Sequence, residues 1–145
     1  MTHLSKELYF YVNGLPVPQG SKTGYVRNGR AVLVEANKKL PLWRKTVKFA
    51  ALEAINQRPW VMLDEPVRLI LTFFLPRPKN PRHKQYPASK PDISKLARAV
   101  EDSLTDAGVW RDDSLVVELV ARKVWTKHDE KGEPEPGCFI AISPK

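Results

Sequence analysis

Cysteine is nearly absent: Cys138 is the only one in 145 residues. An intramolecular disulfide is therefore excluded, and no histidine or second cysteine stands at zinc-site spacing from it. The expectation is a cytosolic, disulfide-free protein in which Cys138 fills a strand rather than acting as a nucleophile. No apolar run approaches the roughly 20 residues needed to span a bilayer, which argues against a membrane role. The opening stretch, MTHLSKELYFYVNG, has no basic segment followed by a long apolar one, so a secretory signal is not expected. The P-loop, GxGxxG and HExxH motifs are missing, and nothing else points to a small-molecule cofactor. His3, His83 and His128 are scattered, with no nucleophile beside them in sequence.

What is present suits one folded domain over residues 1–145. The hydrophobic fraction of 42% is too high for a disordered chain, and the length suits a single buried core. The formal charge is +8, but it is unevenly distributed. Residues 1–90 hold 16 Lys or Arg against 5 Asp or Glu, whereas residues 91–118 hold 3 against 7. The basic part suits a polyanion partner, because phosphates attract Lys and Arg and release counterions on binding. The acidic island would repel the same partner unless a divalent cation lay between carboxylate and phosphate.

Periodicity divides the chain. Leu8, Phe10 and Val12 alternate with polar or aromatic neighbours, as in a half-buried strand ended by Asn13-Gly14. Arg27-Asn28-Gly29-Arg30 is a hairpin signal, with Asn-Gly at its tip. Residues 38–57 read as a helix, with Leu42, Trp43, Val47, Ala50, Ala51, Ala54 and Ile55 on one stripe and Pro41 in the first turn. Trp43 is expected as a core anchor. Residues 66–76 form a strong apolar strand. Residues 77–91 are proline-rich and basic, without apolar periodicity, and are expected to form a mobile loop. Asp92 suits the N-cap of a second helix over 92–107, whose stripe is Ile93, Leu96, Val100, Leu104 and Ala107, with Gly108 at C′. Strands are expected at 114–125 and 138–143. The order β, hairpin, α, β, α, β, β predicts a two-layer α+β fold, with a mixed sheet of about four or more strands and two main helices.

The island's aspartates are hard oxygen donors suited to Mg²⁺, with Mn²⁺ as a possible substitute. A bound metal can activate water and neutralise charge during phosphodiester hydrolysis. Asp92 and the Asp112-Asp113 pair lie at opposite ends of the second helix. They meet only if the sheet returns the later segment beside the loop that enters the helix.

KPDISKLARAVEDSLTDAGVWRDDSLVV, residues 90–117, resembles the RusA family of Holliday junction resolvases of phages and prophages. Lys90, Pro91, Asp92, Leu96, Ala99, Asp102, Leu104, Asp112, Asp113 and Val116 fit the family's pattern, and GLPVPQGSK is similar to its opening. The resemblance covers nearly the whole domain. It implies an Mg²⁺-dependent crossover junction endodeoxyribonuclease, acting as a homodimer on four-way junctions in DNA recombination and repair. Paired symmetric nicks would suit a two-fold dimer on a two-fold junction. The setting implied is the cytoplasm of a bacterial host. By position, Asp92 and Asp113 match catalytic aspartates, Asp112 a supporting carboxylate and Arg98 the family lysine. Asp92, Asp113 and Asp112 are the metal candidates, and a rearranged site would recruit Asp102 or Asp112.

Three positions depart from the family. Ser94 stands where a second aspartate is expected, Lys95 where an asparagine is, and Arg98 where a lysine is. Ser94 is a neutral, weak ligand, and Arg98 keeps the charge without the compact ammonium. The alternative is therefore a weakly active or non-catalytic protein that binds branched DNA. A nuclease for flaps or forks is a third reading. For DNA contact the candidates are Gln19, Ser21, Lys22, Arg27 and Arg30 in the first loop and hairpin. Arg77, Lys79, Arg82, Lys84 and Lys90 in the proline-rich loop and Lys95 beyond it complete the set. Such contacts position a backbone without reading bases. Tyr25 and Tyr86 are candidates for stacking on exposed bases.

Overall fold

The computed structural model describes residues 6–20, 22–35, 38–127, 131–132 and 135–145, and the side chains of 22–25 and 31–35 lie outside that description. The elements are β1 (Leu8–Asn13), β2 (Lys22–Arg27), β3 (Arg30–Glu35), α1 (Leu40–Asn56), β4 (Val67–Leu75), α2 (Ile93–Asp106), a 3-10 turn (Asp113–Leu115), β5 (Val116–Trp125) and β6 (Gly137–Pro144). This is the expected order. β1, β6, β4 and β5 form one mixed sheet in that order, and β2 pairs with β3 as a separate hairpin. Asn28 and Gly29, both with positive φ, make the hairpin tip, as the right-handed strand twist favours.

β4 is one of the two inner strands of the sheet. Its alternate residues Val67, Leu69, Leu71, Phe73 and Leu75 are all buried, which is the period of two expected of a strand with one covered face. It runs parallel to β5 and antiparallel to β6. The parallel pairing requires a crossover, and α2 supplies it. Leu75 and Trp125 are therefore neighbours at the carboxyl ends of the parallel pair.

The two helices cover the face bearing these β4 residues. Trp43, Val47, Ala51 and Ala54 of α1, and Leu96, Val100 and Leu104 of α2, join them in one core. Each fully buried leucine or valine contributes roughly 1.5–3 kcal/mol relative to exposure. Trp43 is the core anchor expected. Leu42 is not part of the stripe: it is 70% exposed, and Leu40 is buried instead. Leu42 lies one residue, roughly 100°, round the helix from Trp43, which turns it outward. In α2, Ile93 is only half-buried. Gly108 follows the α2 cap with φ +76° and donates its N–H to Thr105 O at 3.0 Å, ending the helix as a C′ glycine does.

Among the described residues no helix covers the other face of the sheet. Tyr9, Tyr11 and Phe139 are exposed on it, and Tyr11 packs on Phe74 with ring centroids 5.8 Å apart. Among the described residues no helix is long and apolar enough to cross a membrane.

Candidate functional site

α2 separates the aspartates into two groups. Asp92 stands at the N-cap in extended conformation, but its carboxylate makes no capping hydrogen bond. The cap expected from the sequence is thus correct in position and absent in chemistry. The nearest charge to Asp92 is Lys95 Nζ at 3.9 Å.

The second group forms around Arg98. Its Nε lies 3.5 Å from Asp102 Oδ1, one turn on. Its Nη1 lies 3.9 Å from Asp113 Oδ2, in the 3-10 turn that feeds β5. Glu101 belongs to the same cluster and was not anticipated. Burial pushes its carboxyl above the ordinary range, and the Asp113 charge adds to this; Arg98 pulls it down and Asp102 pushes it up. Its signal in the sequence was spacing alone, since Arg98 and Glu101 are three apart on a helix.

The sheet therefore does return Asp113 to α2, but to the helix's middle rather than its start. Asp102 is ten residues beyond Asp92, roughly 15 Å along the axis at helical rise. Among the described residues, no three Asp, Glu, His or Cys side chains converge closely enough to hold a metal. Asp112 is turned to another task. Its Oδ2 accepts from Ser114 N at 3.2 Å and from the Ser114 hydroxyl, capping the 3-10 turn. Those bonds lower its pKa. The arrangement offers Asp102 and Asp113 as a carboxylate pair. Mg²⁺ commonly takes one or two carboxylates and completes its shell with water and substrate phosphate.

The proline-rich loop leads to Asp92 and is tied to β5. Lys123 Nζ donates to Ser89 O at 2.7 Å and Pro91 O at 2.9 Å. Trp125 Nε1 donates to His83 O at 3.3 Å. Residues 77–91 contain no helix or strand, as expected. Arg77, Lys79, Arg82, Lys84 and Lys90 are exposed along it, as are Lys95 on α2 and Arg27 and Arg30 at the hairpin tip. Tyr86 is 59% exposed.

Gln19 is more inward than expected. Its N–H donates to Lys95 O at 2.9 Å, and its side-chain oxygen is buried without a partner among the described residues. Ser21 and the side chains of Lys22 and Tyr25 lie outside the described residues. A cavity of about 680 Å³ opens between residues 15–18, the carboxyl end of β4 and this loop, with Lys90, Asp92, Lys95 and Trp125 in its wall. Cys138 is buried in β6 and its thiol is pushed up by burial, so it is held as the inert thiol.

A family model described as endodeoxyribonuclease RusA matches residues 13–132. An uncharacterised Bacillus subtilis protein, YqaN, is 30% identical over 129 residues, spanning 81% of this chain and 87% of that protein. A protein of Lactococcus phage r1t named crossover junction endodeoxyribonuclease rusA is 36% identical over 70 residues, 48% of this chain and 51% of the phage protein. The match by the family model, over most of the sequence and across both helices and the Arg98 cluster, places this chain in the RusA endodeoxyribonuclease family.

Proposed function

We propose that the protein is an Mg²⁺-dependent endonuclease that binds four-way DNA junctions as a homodimer and resolves them by paired symmetric nicks. The observation that carries this reading is the meeting of Asp102 and Asp113 at Arg98, 3.5 and 3.9 Å from its guanidinium, in a chain of an endodeoxyribonuclease family. Asp102 and Asp113 would hold the ion together with a DNA phosphate. The ion, when bound, activates water and neutralises charge on the scissile phosphate. Asp92, matched by position to a catalytic aspartate, meets the same strand from the cavity rim. Asp112 supports the site by fixing the turn that presents Asp113.

The basic loop and hairpin tip supply phosphate contacts on either side. Six exposed cations, Arg77, Lys79, Arg82, Lys84, Lys90 and Lys95, lie within the loop and first turn of α2. They bring the phosphate to carboxylates that would otherwise repel it.

The uncovered face of the sheet supports the dimer. Tyr9 and Tyr11 are 64% and 41% exposed there. Two copies related by a two-fold would cover this face mutually. Sedimentation should give a dimer for the wild type and a monomer for Tyr9→Lys.

A second reading, a branched-DNA binder that does not cut, is favoured by Ser94. It puts a hydroxyl one turn before Arg98 where the family resemblance implies a carboxylate. The test is a competition among labelled junction, fork, flap and duplex with Mg²⁺ or EDTA. Metal-dependent paired nicks confined to the junction are expected. Preferential cutting of forks or flaps would overturn the junction assignment, and binding without cutting would select the second reading.

A further inference from the structure

We infer that the cavity beside Asp92 receives one unstacked nucleotide of the DNA, with its base inside and its phosphate on the lysine rim. The inference rests on the proposed action on DNA. It adds a base-binding site to a surface whose lysines and arginines are suited to backbone phosphates.

Three observations carry it. First, size: at about 680 Å³ the cavity lies within the range of roughly 300–1,000 Å³ typical of small-ligand pockets. Second, lining: Pro16, Leu75 and Trp125 give it apolar and aromatic walls. Such walls suit the face of a base and, being indifferent to hydrogen-bond pattern, favour stacking. The Trp125 ring is held by its bond to His83 O at 3.3 Å, so it is oriented before the ligand arrives. Third, charge: Lys39, Lys90 and Lys95 stand at the wall, and among the described lining residues the one acid is Asp92. An apolar chamber with a cationic rim complements a nucleotide, which joins an apolar ring to an anionic phosphate.

The position fits a substrate with disrupted stacking. A base in continuous duplex is paired and stacked, and extracting it costs a few kcal/mol. At a crossover that cost is lower, so the cavity would favour branch points over duplex. Trp125 reaches this site only through the parallel pairing of β4 with β5. It joins Tyr86, exposed on the loop, as an aromatic to test.

The test uses a series of four-way junctions, each with one abasic nucleotide at a successive position flanking the crossover. Dissociation constants are measured by gel shift in Ca²⁺. Wild type should bind one or two of these about tenfold more weakly than the intact junction, the order expected for one lost stack. Two variants should abolish that difference, binding intact and abasic junctions alike: Trp125→Leu, which removes the aromatic wall, and Ser89→Trp, which fills the cavity. Ser89 is exposed and its bond to Lys123 uses only its carbonyl, so the plug leaves the loop anchor intact and keeps the test valid if Trp125→Leu misfolds. Wild type that binds the junction yet ignores every abasic position overturns the cavity site alone. So does a plugged variant that discriminates as wild type does. Wild type that binds no junction overturns the DNA reading itself, and the cavity with it.

Discussion

Lys123 holds the carbonyl of Pro91 at 2.9 Å, one residue before Asp92. The same ammonium holds Ser89 O at 2.7 Å. The two residues are 32 positions apart in sequence, and the bonds fix where the loop ends and α2 begins. Lys123 thus fixes the backbone that leads into Asp92.

Lys123→Met keeps the stem and removes the donor. Hydrogen bonds of this kind are worth about 1 kcal/mol net, so the fold should survive with a small fall in melting temperature. Junction cutting should fall about tenfold or more, because a small misplacement of a catalytic group is costly. Junction affinity should change little. Wild-type cutting rates in the variant would show that the anchor does not serve the site.

Glu101 gives a prediction in pH. Its carboxyl is raised from the ordinary value of 4.5, first by burial and then by the Asp113 charge. The folded protein therefore binds this proton more tightly than the unfolded chain does. Its contribution to stability is whole below the unfolded value and is lost as pH rises through the folded one. Glu101→Gln removes the penalty of the buried charge. In EDTA the variant should melt higher than wild type at pH 7, and the gap should close near pH 4. A variant that melts lower at pH 7 would mean that the Arg98 attraction outweighs burial.

Ser94 sits in the first turn of α2, four residues before Arg98, and that turn has no acidic residue. An aspartate there meets the positive end of the helix, worth about 0.5 kcal/mol. It also adds a carboxylate on the Arg98 side of the helix. Ser94→Asp should cut junctions faster and at lower Mg²⁺ than wild type. An unchanged rate and metal requirement would show that Asp102 and Asp113 already suffice.

The elements were readable because each depends on short-range pattern. Alternation marked β1, an apolar run after Pro66 marked β4, helical spacing marked α1 and α2, and Asn28-Gly29 and Gly108 marked turns that need positive φ. Leu42 misled because an apolar residue at the margin of a stripe looks like a member of it. The acids were readable as a set but not as a site. Asp112 spends its carboxylate on Ser114, a local bond that competes with any ligand. Glu101 was signalled only by its three-residue spacing from Arg98, and the burial that raises its carboxyl is not written in that spacing. Lys123 and Trp125 act through bonds spanning 32 to 42 positions, so their link to the loop depends on the parallel pairing of β4 and β5.

Asp113, brought to Arg98 beside Asp102, is the residue on which the proposed metal-dependent cutting of branched DNA depends. The most direct test is a gel assay of a labelled four-way junction with purified protein and Mg²⁺, run beside EDTA and Asp113→Asn. Paired nicks that vanish in EDTA and in Asp113→Asn, while the variant still shifts the junction, are the predicted result. A junction shifted but uncut by wild type under every condition would contradict it and leave a protein that binds branched DNA without cleaving it.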